Sequence, residues 1–177
     1  MKWNNFTVDQ TKEAIFHAAK SLGFDRVGIS STSLPKSNES ALYTWLDDGF
    51  AANMEWMKKD PARRARPEEI LPGAKSVIAL LTNYYTGDHD SITPQAGKPV
   101  GKIARYAWGR DYHKVIEKRL KALCNFIREQ GGEATAVRPY VDTGPVLERA
   151  FARQAGIGFV GKNAMLFTPN LGSWTFL

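Results

Sequence analysis

A single mixed α/β domain is what the sequence predicts, and three observations carry that reading. The chain of 177 residues is long enough for one substantial core and a tight fit for two. Apolar residues recur at helical spacing in several segments, whereas Ser76–Leu81 (SVIALL) is an unbroken apolar run of the kind that forms a strand buried on both faces. Hydrophobic residues make up 43% and charged residues 24%, ordinary globular usage that excludes disordered and fibrous classes.

The elements follow in order. Thr7 and Gln10 have capping-box spacing, Val8, Ile15, Ala19 and Leu22 share one helical face, and Gly23 supplies the stop. Arg26 to Ile29 reads as a short strand. Leu42, Trp45 and Leu46 mark a second helix over Ser40 to Asp48, ended by Gly49. Met54 to Lys59 reads as a short helix, and Pro67 suits the first position of a turn containing Glu68, Glu69 and Ile70. Between them lie Lys58, Lys59, Arg63, Arg64 and Arg66, either a solvated basic connection or an anion-facing strip.

After SVIALL, residues Thr86 to Gly101 have the composition of a loop, an ordinary surface loop or a flap over a site. GKIARYAWGRDYH then crowds Arg105, Arg110, Tyr106, Trp108 and Tyr112 together. Ile116, Leu120, Leu123 and Ile127 predict the longest helix, from about Asp111 to Gln130, with Gly131 and Gly132 ending it. Cys124 lies beside that stripe, which favours a buried inert thiol over a catalytic one. Thr135, Val137 and Val141 alternate as a strand would, with Pro139 marking an edge or strand end.

The segment VDTGPVLERAFARQAGIGFVGKN, Val141 to Asn163, poses the functional question. Pro145 predicts a helix start, with the helix running to about Ala155 and Gly156 as its left-handed stop, so Asp142 falls at the tip of the preceding strand. On residue type alone the commoner role for such an Asp is to accept bonds from the free N–H groups of the helix start. The other role is a general acid, which an apolar pocket would favour by raising its pKa. Arg149 and Arg153 stand four residues apart, an arrangement open to an anionic partner but not demanding one, and Glu148 suits the positive end of the helix.

GIGFVG formally matches GxGxxG, and GIGFVGKN comes within one residue of the phosphate-loop pattern. Both fail on context. The dinucleotide fingerprint opens a helix after a strand, and here the glycines follow a helix; the phosphate loop needs a hydroxyl where Asn163 stands and a helix where Pro169 forbids a long one. His17, His89 and His113 are scattered, so no metal site, serine triad or carboxylate pair assembles from local motifs.

The net charge of +6, from 24 Lys and Arg against 18 Asp and Glu, favours anionic partners. A single cysteine excludes an intrachain disulfide and a cysteine cluster, which fits a reducing cytoplasm. The N-terminus lacks the apolar core of a signal peptide, and no stretch approaches the ~18 apolar residues of a membrane span.

DTGPVLERAFARQAGIGFVGKNAMLFTPNLGSWTFL, preceded in order by RPEEILPGAKSVIAL and GKIARYAWGRDYH, resembles the epoxyqueuosine reductase family, cobalamin-dependent iron–sulfur enzymes of tRNA modification. The resemblance implies a nitroreductase-like, cobalamin-binding α/β (α+β) sandwich, a mixed sheet flanked by helices. It implies oxidoreductase chemistry, the two-electron reduction of an epoxide on the wobble nucleoside of tRNA to give the alkene of queuosine, with a low-valent cobalt centre and an aspartate that protonates the departing oxygen. Asp142 matches that aspartate. Arg66, Arg105, Tyr106, Asp142, Gly161, Lys162 and Asn163 match regions lining the cobalamin pocket, and Arg149 is the candidate for contacting tRNA.

The family continues into a ferredoxin-like domain whose cysteines ligate two 4Fe–4S clusters, and commonly into a helical-repeat tail. Residues 1–177 therefore resemble the N-terminal, cobalamin-binding catalytic domain alone, GSWTFL looks like a strand cut short, and the isolated chain is expected to lack turnover. An external electron donor, a monomeric state and a cytoplasmic location complete these expectations. The competing reading is a non-catalytic tRNA- or corrinoid-binding module in which Asp142 is only a helix-start residue.

Overall fold

The structure, a computed structural model, describes residues 2–3, 6–87, 99 and 101–177. Helix α1 (Val8–Ser21) begins with the reciprocal Thr7 and Gln10 capping box and is followed by strand β1 (Arg26–Ser31). Helix α2 (Lys36–Asp47) and two short helices, α3 (Glu55–Lys58) and α4 (Pro61–Ala65), lead through a 3₁₀ turn at Pro67–Glu69 to strand β2 (Ser76–Asn83). A second 3₁₀ turn, Arg105–Ala107, precedes the long helix α5 (Tyr112–Gly131), capped by the Asp111 side chain. Helix α6 (Glu148–Gln154), the hairpin of β3 (Phe159–Val160) and β4 (Leu166–Phe167), and β5 (Thr175–Phe176) complete the described elements.

The sheet has the order β1-β2-β5 and is antiparallel throughout, so each residue on one face sits opposite a residue on that same face. Val27 and Ile29 of β1 join Ile78 and Leu80 of β2 against α1 and α5, in a core built on Ile15, Ala19, Leu120 and Leu123. The other face presents Ala79 and Leu81 to Ala152 of α6 and to Ile157 and Leu166. Helices thus flank the sheet on both faces. Cys124 is buried on α5, and desolvation holds its thiol above the usual range, as an inert core residue requires.

Three sequence expectations need correction. SVIALL forms the predicted strand, but only Ala79 and Leu81 are buried, because β5 covers the far side of β2 at Thr82 and Asn83 alone. Thr135 to Val141 forms no strand. Val137 and Val141 turn inward as predicted, yet the segment is pinned to the end of α5, with Arg128 Nη2 donating to the Val137 carbonyl at 3.1 Å. The alternation signalled packing on a helix rather than a ladder.

The third concerns α6, which begins at Glu148 rather than Pro145. The Val146 N–H bonds to the Gly144 carbonyl (2.9 Å) and the Leu147 N–H to the Arg64 carbonyl (2.8 Å), so the backbone turns once more before the helix starts. Gly156, at φ +74°, ends α6 as predicted. The glycines that mimic a nucleotide loop enter a hairpin, closed by the Gly161 N–H and the Met165 carbonyl at 2.9 Å. Most of the loop expected over Thr86 to Gly101, and His89 with it, lies outside the described residues.

Gly28 in β1 lets α6 and the following turn lie directly on the sheet. A Cβ there would meet Ile157 Cγ2 at 2.7 Å, Ala155 Cβ at 2.8 Å and the Ala155 carbonyl oxygen at 2.9 Å. Gly28→Ala is expected to lower stability by about 1–3 kcal/mol in urea denaturation, since backbone and core atoms must move. Gly101→Ala, where nothing lies within 4 Å, should stay within about 0.5 kcal/mol.

Candidate functional site

Asp142 lies on an irregular loop, not at a strand tip. Its φ of +59° is left-handed, a conformation that Asp tolerates better than most residues. The turn is forced tight by Gly144, where a Cβ would meet the Tyr140 ring at 2.5 Å. The Asp142 side chain therefore projects outward and is 62% exposed. The apolar burial that a proton-holding acid would use is absent around it among the described residues.

What holds Asp142 is the first turn of α5. Asp111 caps that helix by accepting from the His113 N–H at 3.0 Å, which places Tyr112 and His113 side by side at its start. The Tyr112 hydroxyl donates to Asp142 Oδ2 at 2.6 Å, and His113 Nε2 stands 3.7 Å from the same oxygen. Burial and that bond to Asp142 push the Tyr112 phenol well above its usual range, so the hydroxyl remains a donor. The His113 ring in turn holds the Asp111 carboxyl below the ordinary carboxylate range.

Tyr112 is fixed by rings. It stacks on Phe176 (centroids 4.1 Å apart, planes 7° apart) and on His113 (4.0 Å), while Tyr106 meets it edge-on at 6.4 Å. The β5 pairing delivers Phe176 to this position, and Tyr84 joins it to Trp174. Arg105 lies over the rings of Tyr85 (4.8 Å), Trp174 (5.5 Å) and Trp108 (5.7 Å) and donates to the Gly87 carbonyl. Arg105 and Tyr106 are thus linked to Asp142 through one continuous set of aromatic contacts.

The glycine hairpin is held to the start of α6. Arg149, one residue into α6, donates to the Ala164 carbonyl, which ties the Gly161, Lys162, Asn163 turn to the helix start beyond Asp142. Asn163 Oδ1 accepts the Met165 N–H at 3.2 Å, so this side chain shapes its own turn, while Lys162 is exposed. Arg66 stands apart, bonded to Glu39 Oε1 at 2.6 Å and to Glu69 at 3.3 Å, contacts that raise its pKa further. The structure therefore links Asp142 with Arg105 and Tyr106 through rings, ties Arg149 to the 161–163 turn, and engages Arg66 with Glu39 and Glu69.

Sequence reasoning missed Tyr112, His113 and Glu148. In the sequence Tyr112 is one of a crowd of aromatics, and His113 has no Cys or second His at ligand spacing. Glu148 is the half-buried acid of the site: desolvation, then the Asp142 charge, pushes its carboxyl up to about 7, against Arg149, the Asp142 backbone N–H and Arg64, which pull it down. A cavity of about 700 Å³ touches this cluster through Glu148 and Phe176 but does not include Asp142.

Because the folded pKa of Glu148 lies above its unfolded value of 4.5, its contribution to stability is complete below about pH 4.5 and is lost as pH rises through about 7. Glu148→Gln should remove that part of the pH dependence. In urea titrations the variant gains on the parent between pH 5 and 8 by at most about 3 kcal/mol. Parallel pH profiles for the two proteins would contradict the assignment.

Three comparisons place the geometry among known proteins. Residues 64–143 match the family described as Epoxyqueuosine reductase QueG, DUF1730. The epoxyqueuosine reductase of Synechocystis sp. is 45% identical over 153 residues, covering 85% of this chain and 50% of the relative. The crystal structure of an epoxyqueuosine reductase with an epoxyqueuosine-modified tRNA-Tyr stem loop superposes with a TM-score of 0.87 at 32% identity, over 96% of this chain and 44% of that one. The Bacillus subtilis epoxyqueuosine reductase, solved with its Asp-bearing catalytic loop swung out of the active site, superposes with a TM-score of 0.83 at 30% identity, over 96% and 44%. The chain spans about half the length of the curated relatives it matches. In sequence and in fold alike, the chain is a homologue of the epoxyqueuosine reductases.

Proposed function

We propose that residues 1–177 form the cobalamin-binding catalytic domain of an epoxyqueuosine reductase and that Asp142 is its proton donor. The observation that carries this reading is the bond from Tyr112 to Asp142, which presents an otherwise exposed acid in one orientation beside a set of solvent-facing rings. Reduction of an epoxide to an alkene consumes two electrons and two protons and releases water. A residue that protonates the departing oxygen is therefore required wherever the electrons come from.

The residues present fit a corrinoid. Tyr85, Tyr106, Trp108 and Trp174 expose large apolar faces around the Asp142 cluster, as a broad macrocycle needs, and Lys162 and Asn163 add polar groups suited to its amide side chains. Among the described residues no group of three or more His, Cys, Asp or Glu could hold a bare metal ion, so cobalt would enter inside its own ring. Arg105, Tyr106 and the 161–163 turn would hold that ring, whereas Arg66, paired with Glu39 and Glu69, would have to leave those partners to reach it. Cobalamin, when bound, supplies the low-valent cobalt that reduces the epoxide carbon.

The chain's own residues do the rest. Tyr112 orients Asp142 toward the departing oxygen by its hydroxyl bond, and His113 Nε2 stands 3.7 Å from the same carboxylate oxygen. Glu148, near neutrality in its pKa, gains or loses a proton as the charge on Asp142 changes. Arg149 and the cations Lys58, Lys59 and Arg63 attract the tRNA backbone. The only cysteine, Cys124, is buried, so electrons reach the site from iron–sulfur ligands or a donor beyond these 177 residues, and the chain alone does not turn over. No helix among the described residues is long and apolar enough to cross a membrane, and a cytoplasmic monomer acting on epoxyqueuosine-bearing tRNA is the form we propose.

In a complete reductase carrying this domain, Asp142→Ala should abolish epoxide reduction while the visible spectrum of bound cobalamin is retained. Tyr112→Phe, which frees the carboxylate but leaves it in place, should lower kcat by about tenfold to a hundredfold with little change in cobalamin binding. Retained turnover in Asp142→Ala would favour the non-catalytic binding module instead.

A further inference from the structure

Helix α3 carries the ring of Trp56 at the surface, 61% exposed, and the chain then turns back to place a buried cation against it. Lys59 is extended, Asp60 is left-handed at φ +50°, and Pro61 starts α4. Arg64, on that helix, is only 8% exposed. Its guanidinium carbon lies 5.2 Å from the Trp56 ring centroid, and Nη2 donates to the Trp56 carbonyl at 3.2 Å. Its Nε is buried without a partner among the described residues. Burying a guanidinium with no carboxylate in ion-pair contact costs free energy, and what it secures is the orientation of an exposed ring. A ring held in this way has already lost the side-chain freedom that binding a ligand would otherwise remove.

The surroundings of the ring select the class of ligand. From Met54 to Arg66 the chain carries five cations against two acids. Those acids, Glu55 and Asp60, pair with Lys58 and Arg63 in exposed i, i+3 bridges, which are weak enough for an incoming phosphate to exchange. Lys59 is exposed and has no ion pair among the described residues. A flat π face beside surplus positive charge matches the two parts of an unpaired nucleotide, its base and its phosphate. An acidic protein surface would meet the cations but has no base to lay on the ring.

We propose that Trp56 is a stacking platform for one unpaired base of the RNA substrate, with Lys58, Lys59 and Arg63 on the neighbouring phosphates. This rests on the reading of the chain as part of a reductase acting on tRNA, and it adds a base contact to a general attraction for the RNA backbone. The platform shares a support with the candidate acid. The Arg64 carbonyl accepts the Leu147 N–H at 2.8 Å, and Leu147 closes the loop that Asp142 opens. A base stacked on Trp56 therefore bears on the same short helix that anchors the far end of the Asp142 loop.

The test uses a complete reductase carrying this domain. Dissociation constants are measured for an epoxyqueuosine-modified tRNA-Tyr stem loop and for a fully paired RNA duplex, and the visible spectrum of bound cobalamin is recorded to show that each variant is folded. Trp56→Leu removes the π face and keeps an apolar side chain, whereas Trp56→Phe keeps a ring. Trp56→Leu is expected to weaken stem-loop binding by about fivefold to a hundredfold at unchanged salt dependence, Trp56→Phe to recover most of that loss, and duplex affinity to stay at the parent value. Lys59→Ala should lower the slope of log affinity against log salt by about 0.7, and an unchanged slope overturns the phosphate contacts. Stem-loop affinity at the parent value in Trp56→Leu overturns the platform while leaving RNA as the substrate, and so does an equal loss in the Leu and Phe variants. A parent reductase that binds the stem loop no more tightly than the duplex overturns the tRNA reading, and the platform with it.

Discussion

The antiparallel pairing of β1 with β2, from Arg26 opposite Leu81 to Ser31 opposite Ser76, decides where everything else in the molecule lies. Its register puts Val27, Ile29, Ile78 and Leu80 on one face, which α1 and α5 then cover, and Gly28, Ala79 and Leu81 on the other, which receives α6 and the turn after it. A shift of one residue would exchange the two faces and expose both cores. Because β5 adds to the end of β2 at Thr82 and Asn83, the same ladder also carries Phe176 beneath the first turn of α5. The candidate site is a consequence of sheet register.

Rigid and yielding parts are divided accordingly. Tyr112 belongs to the rigid part, because a 20-residue helix, an Asp cap and two stacked rings fix its position. Asp142 belongs to the yielding part, since its loop has no strand pairing, a left-handed backbone and a largely exposed side chain. One hydroxyl bond at 2.6 Å joins the two parts. Such a bond between a neutral donor and a carboxylate is worth about 1.5–3 kcal/mol, enough to favour one loop position and weak enough to release it. The Bacillus subtilis reductase was solved with its own Asp-bearing catalytic loop swung out of the active site.

The helices were legible because their periodicity and caps are local. Thr7 and Gln10, Asp111, and the glycines at 23, 49, 132 and 156 all act where sequence spacing put them. The order of helix and glycines likewise excludes the nucleotide motifs from the sequence alone. What sequence spacing could not provide was whether an alternating segment would find a neighbouring strand. Val137 and Val141 do turn inward, but they pack on α5, and the proline and glycine between them and α6 keep the backbone irregular.

The site shows the same limit. Asp142 emerged from its match to a long family signature, whereas Tyr112, 30 residues away, and Glu148, whose desolvation arises from the walls around it, depend on contacts that no local pattern encodes. The central claim is that the Asp142 carboxyl delivers a proton to the departing oxygen, and chemical rescue tests it most directly. In a complete reductase carrying Asp142→Gly, single-turnover epoxide reduction is measured with added small carboxylic acids of graded acidity. The account predicts that rate returns with added acid and varies with its pKa along a Brønsted line. A variant that turns over at the parent rate without added acid, or one that stays inactive at every acid concentration while cobalamin and tRNA remain bound, would contradict it.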